Sequence, residues 1–306
     1  MKVLITGGAG FIGLHTCRAF LDAGDEAAII DKEFSYKITR NMPKDVTLHI
    51  EDIREKSSVM SVFEYEKPDA VVHLAAQISV SASVADPEND MRTNILGTVN
   101  VLEACREYGV RSLVMASSAA VYGEPRSLPL TEEHTAAPLS PYGLSKLTCE
   151  RYLAWYGNAY NMNCIALRYS NVYGPGQGIS GEGGVAAIFA DRLRSGRQPV
   201  IYGDGGQTRD FVYVGDVARA NRLAAVYPGK LNGVMNIGTG EAVSVNELLS
   251  IMGGVLGVSP APRYENPREG DIRHSRLSGE KAQEVLGWRP EWSLEDGIGE
   301  LLKPTL

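Results

Sequence analysis

Short β-rich apolar runs alternate with longer segments of helical length along most of the chain. The runs are short enough to be strands, and the longer segments have the length of ordinary helices. Strands that alternate with helices in this way indicate βαβ crossovers and a parallel sheet. The pattern predicts strands at Val3–Thr6, Ala27–Ile30, Val46–Ile50, Ala70–Leu74, Ser112–Ala116, Cys164–Leu167 and Val234–Ile237, and helices at Phe11–Ala23, Asp90–Tyr108 and Tyr142–Tyr160.

The composition of the chain changes after Tyr169, where glycine- and proline-rich loops (NVYGPGQGISGEGG) precede a predicted helix at Val185–Arg194. Strand- and helix-like segments return at Phe211–Val226 and Val234–Gly253. We therefore expect an α/β protein with a Rossmann-like doubly wound parallel sheet and a smaller C-terminal substrate-binding lobe. Residues 1–168 and about 210–253 are assigned to the dinucleotide-binding domain, and about 169–209 and 254–306 to the smaller lobe.

Composition narrows the class of protein. The chain has 306 residues, 44% hydrophobic and 22% charged, and no apolar run approaches the length that crosses a bilayer, so we expect no membrane span. The net charge is −7 without a basic block, which argues against nucleic acid as a partner. The four cysteines show no C-x-x-C spacing, and no metal site is predicted. The strand-like start MKVLIT lacks the features of an export signal, so a cytoplasmic location is expected.

The first predicted strand runs into a glycine-rich turn that opens a helix. Thr6–Gly13 reads TGGAGFIG and contains G-x-G-x-x-G at Gly8, Gly10 and Gly13. Such glycines permit a tight turn and a close approach of a pyrophosphate, while amides at the helix N-terminus face the anion. We assign Gly7, Gly10, Phe11, Ile12 and Gly13 to the binding of a dinucleotide.

Acidic residues after the second and third strands bear on the choice of dinucleotide. Asp31 ends the second strand, where a carboxylate binds adenosine ribose hydroxyls and repels a 2′-phosphate, so NAD is favoured over NADP. The alternative is that Asp31 only caps a turn, and neighbouring Lys32 weakens the preference. Asp52 and Ile53 are assigned to the adenine, although an acid after a strand is also a common helix cap.

A tyrosine and a lysine four residues apart are the candidates for acid–base chemistry. Tyr142 and Lys146 lie on one face of the predicted helix, one turn apart. A cationic ammonium and a positive nicotinamide ring are expected to bring the phenol pKa from about 10 toward neutrality. In isolation such a pair is more often an exposed surface feature. Here Ser117 and Ser118 end a strand upstream, at the edge of the sheet where parallel sheets bind ligands.

In these motifs the sequence resembles the extended short-chain dehydrogenase/reductase family, in which TGGAGFIG, a strand-end SS-x-x-VYG and PY-x-x-SK occur in this order. The resemblance covers nearly the whole chain. It implies that Tyr142 is the acid/base, Lys146 its electrostatic and ribose-binding partner, and Ser118 the serine of the triad. It assigns Leu74, Ala75, Ala76, Asn94, Ser117 and Val172 to the cofactor, and Asn171, Val185, Arg209, Arg268, Asp271 and Ser275 to the substrate, with the two arginines on its diphosphate.

The resemblance also narrows the reaction. The family's dehydratases carry an acid pair where this chain has Ala119 and Ala120, and its decarboxylases tend to carry a glutamate at the second of these positions. What remains is NAD-dependent 4-epimerisation of a UDP-sugar, UDP-glucose or UDP-galactose, through a 4-keto sugar, by an enzyme that is expected to form a homodimer. The alternatives are a 4-epimerase for UDP-glucuronate or UDP-N-acetylglucosamine, and a non-catalytic dinucleotide sensor. Ser275 is the expected size gate for an acetamido group.

Overall fold

The structure is a computed structural model that describes residues 1–32, 42–179, 184–267 and 270–303. Its centre is a seven-stranded, fully parallel sheet. The strands lie in the order β11-β6-β5-β4-β1-β2-β3, which places β1 at the point where the chain changes direction across the sheet. The seven strands are β1 (Lys2–Thr6), β2 (Glu26–Asp31), β3 (Thr47–Ile50), β4 (Ala70–His73), β5 (Ser112–Ser118), β6 (Asn163–Tyr169) and β11 (Asn232–Ile237).

Helices cover both faces of this sheet. They are α1 (Phe11–Leu21), α2 (Lys56–Glu66), α3 (Val80–Ala85), α4 (Pro87–Met91), α5 (Gly97–Glu107), α6 (Pro141–Ala159), α7 (Val185–Arg194), α8 (Val214–Ala225), α9 (Val245–Leu256), α10 (Glu280–Leu286) and α11 (Leu294–Leu302). Alternate residues of each strand enter opposite cores, as the two-residue period of a strand requires. Val3 and Ile5 pack with α1 and α8, whereas Leu4 packs with α2, α5 and α6.

A third core lies beside three small two-stranded sheets. The paired strands are β7 (Asn171–Tyr173) with β10 (Phe211–Tyr213), β8 (Val200–Tyr202) with β13 (Arg263–Glu265), and β9 (Thr208–Arg209) with β12 (Val243–Ser244). Buried aromatic and aliphatic residues of β7 and β10 pack with α7, α9 and α11. Trp288, after α10, packs instead in the core of the central sheet. The chain therefore passes between the two regions several times, and the exact division into domains stays a prediction.

The sequence prediction of the sheet is confirmed, since all seven predicted strands are present and parallel. The predicted helix Asp90–Tyr108 differs, because a π-helical turn at Arg92–Leu96 separates α4 from α5. This turn brings the side chain of Asn94 into the interior, where its amide donates to Asp90 and Ser145 at 3.0 Å each. Among the described residues no helix has the length and apolarity to cross a membrane.

Candidate active site

A cavity of about 420 Å³ opens at the carboxyl ends of the central strands. All but two of the predicted cofactor residues line it: Gly7, Gly10, Phe11, Ile12, Gly13, Asp31, Lys32, Asp52, Ile53, Leu74, Ala75, Ala76, Ser117, Tyr142 and Lys146. The lining also includes residues that the sequence analysis missed, namely Ile30, Glu51, Ile78, Thr93, Ala116 and Tyr169. Of these, Ile30 and Tyr169 lie at the ends of β2 and β6 and Glu51 directly follows β3, so the carboxyl-end rule for parallel sheets could have found them.

The glycine-rich turn forms the floor of the cavity. Gly7 has φ +66°, and a Cβ there would lie 2.7 Å from the backbone nitrogen of Ala75. A Cβ at Gly13 would collide with the carbonyl oxygen of Gly7. The positive backbone angle thus falls on Gly7, one residue before the first glycine of the G-x-G-x-x-G pattern. The turn leaves the N-terminus of α1 open toward the cavity, which is the arrangement that binds a pyrophosphate.

Two of the carboxylates that line the cavity, Asp31 and Asp52, have different hydrogen-bond partners. Asp31 accepts a hydrogen bond from the amide of Ala9 at 3.1 Å, so it braces the glycine turn while it lines the cavity. Asp52 is held by the guanidinium of Arg54 at 2.6–3.0 Å, and this hydrogen bond, with the charge of Arg54, lowers the pKa of the Asp52 carboxyl. Asp52 is not the cap of α2, whose N-cap residue is Glu55.

The two serines at the end of β5 belong to separate hydrogen-bond networks. Ser117 donates to Glu150 at 2.6 Å, and Glu150 also forms a buried ion pair with Arg168, at 2.6 Å between the closest atoms. Ser118 instead accepts from the amide of Ala120 and hydrogen-bonds Tyr142. Adjacent residues of a strand point to opposite faces. The hydroxyl of Ser117 therefore bonds within the protein interior, and the hydroxyl of Ser118 faces Tyr142, the candidate acid/base.

Helix α6 begins close to these serines. Ser140 caps it by accepting from the amide of Gly143 at 3.1 Å, and Pro141 occupies the first turn, where its missing N–H costs nothing. Gly143 lies against the turn after β5, because a Cβ there would be 2.6 Å from the carbonyl oxygen of Ala120. This close approach places Tyr142 beside Ser118.

Tyr142 and Lys146 are both perturbed by burial. Burial raises the pKa of Tyr142 to about 12, against the lowering effect of its hydrogen bond with Ser118. The Lys146 nitrogen lies 5.9 Å from the centre of the tyrosine ring and donates to the carbonyl oxygen of Ala116 at 3.0 Å. Burial lowers the pKa of Lys146, while the charges of Asp90 and Glu150 act in the opposite direction. The protein's own groups therefore do not produce the lowered tyrosine pKa that the sequence analysis expects, because burial outweighs them.

Two predicted cofactor residues lie outside the cavity lining. Asn94 is buried, and its side chain bonds the backbone of Gln77 in both directions, at 2.8 and 3.1 Å. These two hydrogen bonds connect the chain after β4 to the π-helical turn. Asn94 therefore supports the wall of the cavity without lining it. Val172 is half-buried in β7 and packs between two of the hydrophobic cores.

Three of the predicted substrate residues lie close together around β9. Arg209 forms an ion pair with Asp271, and the amide of Ser275 donates to the carbonyl oxygen of Thr208 at 3.2 Å. Asn171 is exposed in β7, and Val185 begins α7, where it packs against the third core. Arg268 lies outside the described residues. The structure thus brings Arg209, Asp271 and Ser275 together on neighbouring chain segments.

Comparisons with known proteins place these features in context. A family model described as the NAD dependent epimerase/dehydratase family matches residues 3–238. A protein from Methanocaldococcus jannaschii is 44% identical over 97% of this chain and 95% of its own length. The UDP-glucose 4-epimerase of Mycolicibacterium smegmatis is 38% identical over 99% of this chain and 98% of its own.

Solved structures agree over the full length. The UDP-glucose 4-epimerase of Thermotoga maritima, solved with UDP-glucose, has a TM-score of 0.94 at 39% identity and covers 99% of this chain and 98% of its own. The Thermus thermophilus UDP-glucose 4-epimerase, in complex with NAD, has a TM-score of 0.91 at 43% identity with the same coverage. A UDP-N-acetylglucosamine 4-epimerase from Methanobrevibacter ruminantium has a TM-score of 0.92 at 35% identity and covers 99% of this chain and 97% of its own.

Proposed function

The chain belongs to the NAD dependent epimerase/dehydratase family and is an NAD-dependent epimerase of the UDP-sugar 4-epimerase type, and from that premise we propose that it interconverts UDP-glucose and UDP-galactose. The observation that carries the proposal is the grouping of Ser118 and Lys146 around Tyr142, with Tyr142 and Lys146 lining the cavity and two alanines directly after the serine. Acid–base groups for a sugar hydroxyl are present there, whereas Ala119 and Ala120 offer no carboxylate for elimination of water.

The cavity fits NAD. A side chain at Gly7 or Gly13 would clash with the backbone of Ala75 or of the turn itself, so the glycines permit the tight turn, and the N-terminus of α1 at the cavity suits a pyrophosphate. Asp31 is proposed to accept from the adenosine ribose, and Lys146 to donate to the nicotinamide ribose. When bound, NAD supplies the acceptor and donor of the hydride at sugar C4 and a positive ring that favours the phenolate of Tyr142.

The chain's own residues handle the proton and the orientation of the sugar. Tyr142 takes the proton of the 4-hydroxyl and returns it after the sugar has turned over in the site. Ser118 holds the same oxygen by a hydrogen bond and keeps the phenol aligned. Arg209 is proposed to bind the diphosphate, which anchors the nucleotide while the hexose rotates. Arg268, outside the described residues, is proposed as a second diphosphate contact.

A turnover assay across a panel of UDP-sugars tests this proposal. Conversion of UDP-glucose to UDP-galactose, without net production of NADH, is the expected result. Conversion of UDP-glucuronate or UDP-N-acetylglucosamine alone would favour one of the other 4-epimerase activities. Binding of NAD without turnover of any UDP-sugar would support a dinucleotide sensor instead.

The catalytic tyrosine provides the first prediction. Tyr142→Phe removes the proton-transfer group and keeps the ring, so we expect a folded, NAD-bound protein whose kcat is lower by ~10²–10⁴-fold. Tyr65→Phe, at an exposed tyrosine of α2, is the control and should retain full activity. A Tyr142→Phe variant with near-normal kcat would remove Tyr142 from the mechanism.

The size of the sugar pocket provides the second prediction. Ser275 is half-buried beside Arg209, and we propose that its small side chain leaves room for an acetamido group. The unmodified enzyme should therefore also turn over UDP-N-acetylglucosamine. Ser275→Tyr should lose that activity and keep activity on UDP-glucose, whereas Ser275→Ala should keep both. Equal ratios of the two activities in all three proteins would show that Ser275 is not the gate.

We further propose that the enzyme is a cytoplasmic homodimer. Leu144, Tyr152 and Trp155 are 56, 41 and 56% exposed and recur along one face of α6. Met91 and Leu96 add exposed apolar surface on the chain leading into α5. Exposed apolar surface that is grouped in this way is typical of a protein–protein interface, and we propose that it forms the dimer contact. The four cysteines are free and buried, as suits a reducing compartment.

The oligomeric state provides the third prediction. Sedimentation of the unmodified protein should give the mass of a dimer. Trp155→Glu places a charge on the apolar face and should shift the distribution to monomers, while Tyr65→Phe should not. A monomer at micromolar concentration in the unmodified protein would refute the proposed interface.

A further inference from the structure

Asp210 is a buried carboxylate that the sequence analysis did not single out. It lies between β9 and β10, directly after Arg209, and is 1% exposed. Its carboxylate oxygens accept from two hydroxyls and three backbone amides. These come from Ser170 (3.4 Å), Thr239 (amide 2.9 Å, hydroxyl 2.7 Å), Gly240 (3.2 Å) and Leu277 (3.1 Å).

These partners lie on three separate segments of the chain. Thr239 and Gly240 follow β11 of the central sheet, and Leu277 lies two residues after Ser275. The carbonyl oxygen of Asp210 also accepts from the amide of Asn171 at 2.9 Å. A single residue therefore connects the backbone next to Arg209, Ser275 and Asn171, which are three of the residues proposed to meet the sugar nucleotide.

The chemistry of the site requires a carboxylate. Every group that meets the two oxygens is a donor, and an ionised carboxylate is the side chain that only accepts. There is also no room for a rearranged neighbour, because a Cβ at Gly238 would lie 2.5 Å from an Asp210 oxygen. An asparagine here would turn an amide toward donors and release one of the connected segments.

We propose that Asp210 is a positioning residue for the sugar-nucleotide half of the active site. The inference rests on the proposed function and assigns that site a residue that acts through Arg209, Asn171 and Ser275. Asp210 does not line the cofactor cavity, so it is expected to act on the sugar nucleotide and not on NAD.

Asp210→Asn tests the proposal, with Asp216→Asn as a matched control. Asp216 is also 1% exposed and also accepts from backbone amides, those of Glu291 and Trp292, but these lie on the chain leading into α11. Asp210→Asn should raise the KM for UDP-glucose about 10-fold or more, as a misplaced contact residue does, with unchanged NAD affinity. Asp216→Asn should lower thermal stability and leave the KM unchanged.

A milder pair of variants keeps the test decisive if Asp210→Asn fails to fold. Thr239→Val removes one hydroxyl donor to Asp210, and Thr239→Ser retains it. Thr239→Val should have a higher KM for UDP-glucose than the unmodified enzyme, and Thr239→Ser should have the same KM as the unmodified enzyme. If neither Asp210→Asn nor Thr239→Val changes the KM relative to the Asp216 control, or if NAD affinity falls equally, the positioning role is wrong.

Binding and exchange measurements separate this inference from the proposed function. Affinity for UDP, measured by calorimetry, and hydrogen exchange at the amides of Thr239, Gly240 and Leu277 require no turnover. Weaker UDP binding with faster exchange at these amides in Asp210→Asn would support the positioning role even if the unmodified enzyme does not act on UDP-glucose. Unchanged exchange at these amides would overturn it whatever the activity.

Discussion

The hydrogen bond from the Lys146 ammonium to the carbonyl oxygen of Ala116 fixes helix α6, which carries the proposed acid–base pair, to the central strand β5 near its carboxyl end. A buried ammonium is costly unless it is bonded and electrostatically supported, and here Asp90 and Glu150 supply the supporting charge. Because Tyr142 lies one helical turn earlier, the same bond determines where the phenol stands relative to Ser118. The cofactor cavity and the proposed reacting centre are therefore fixed by the same hydrogen bond.

Close to this hydrogen bond, the fold gives the two serines at the end of β5 different roles. The hydroxyl of Ser117 supports the structure, and the hydroxyl of Ser118 is the one proposed to meet the substrate. Because adjacent side chains of a strand point to opposite faces, Ser117 hydrogen-bonds the buried Glu150–Arg168 pair, whereas Ser118 hydrogen-bonds Tyr142. Truncation of one partner of such a buried pair typically costs ~3–5 kcal/mol, because it strands the other charge. Ser117, which also lines the cofactor cavity, is therefore held by the buried pair, and the proposed chemistry takes place beside Ser118 and Tyr142.

Much of the fold could be predicted because its signals are local. The strands of the central sheet are short apolar runs, and the turn at Gly7 to Gly13 is set by the sequence of one loop. The sequence did not reveal strands such as β9, which has two residues and no periodicity and is stabilised by pairing with distant chain. The π-helical turn was missed because it depends on contacts of Asn94 with Gln77 and Ser145.

The candidate site also has features that could not be predicted from the sequence, because they depend on contacts between distant segments of the chain. Motifs located the lining of the cavity, but they could not show that Asn94 faces away from it or that burial raises the pKa of Tyr142 to about 12. Both facts depend on tertiary packing. Asp210 was equally hidden, since its five hydrogen bonds come from segments far apart in the chain.

The central claim is that the chain's acid–base groups move only a hydroxyl proton, while the hydrogen on sugar C4 leaves and returns without meeting water. The most direct measurement follows UDP-glucose carrying deuterium at C4 during conversion in ordinary water, with the product examined by mass spectrometry and NMR. The account predicts UDP-galactose that retains the deuterium at C4. Loss of the label to solvent would contradict it, because the carbon-bound hydrogen would then have been exchanged as a proton.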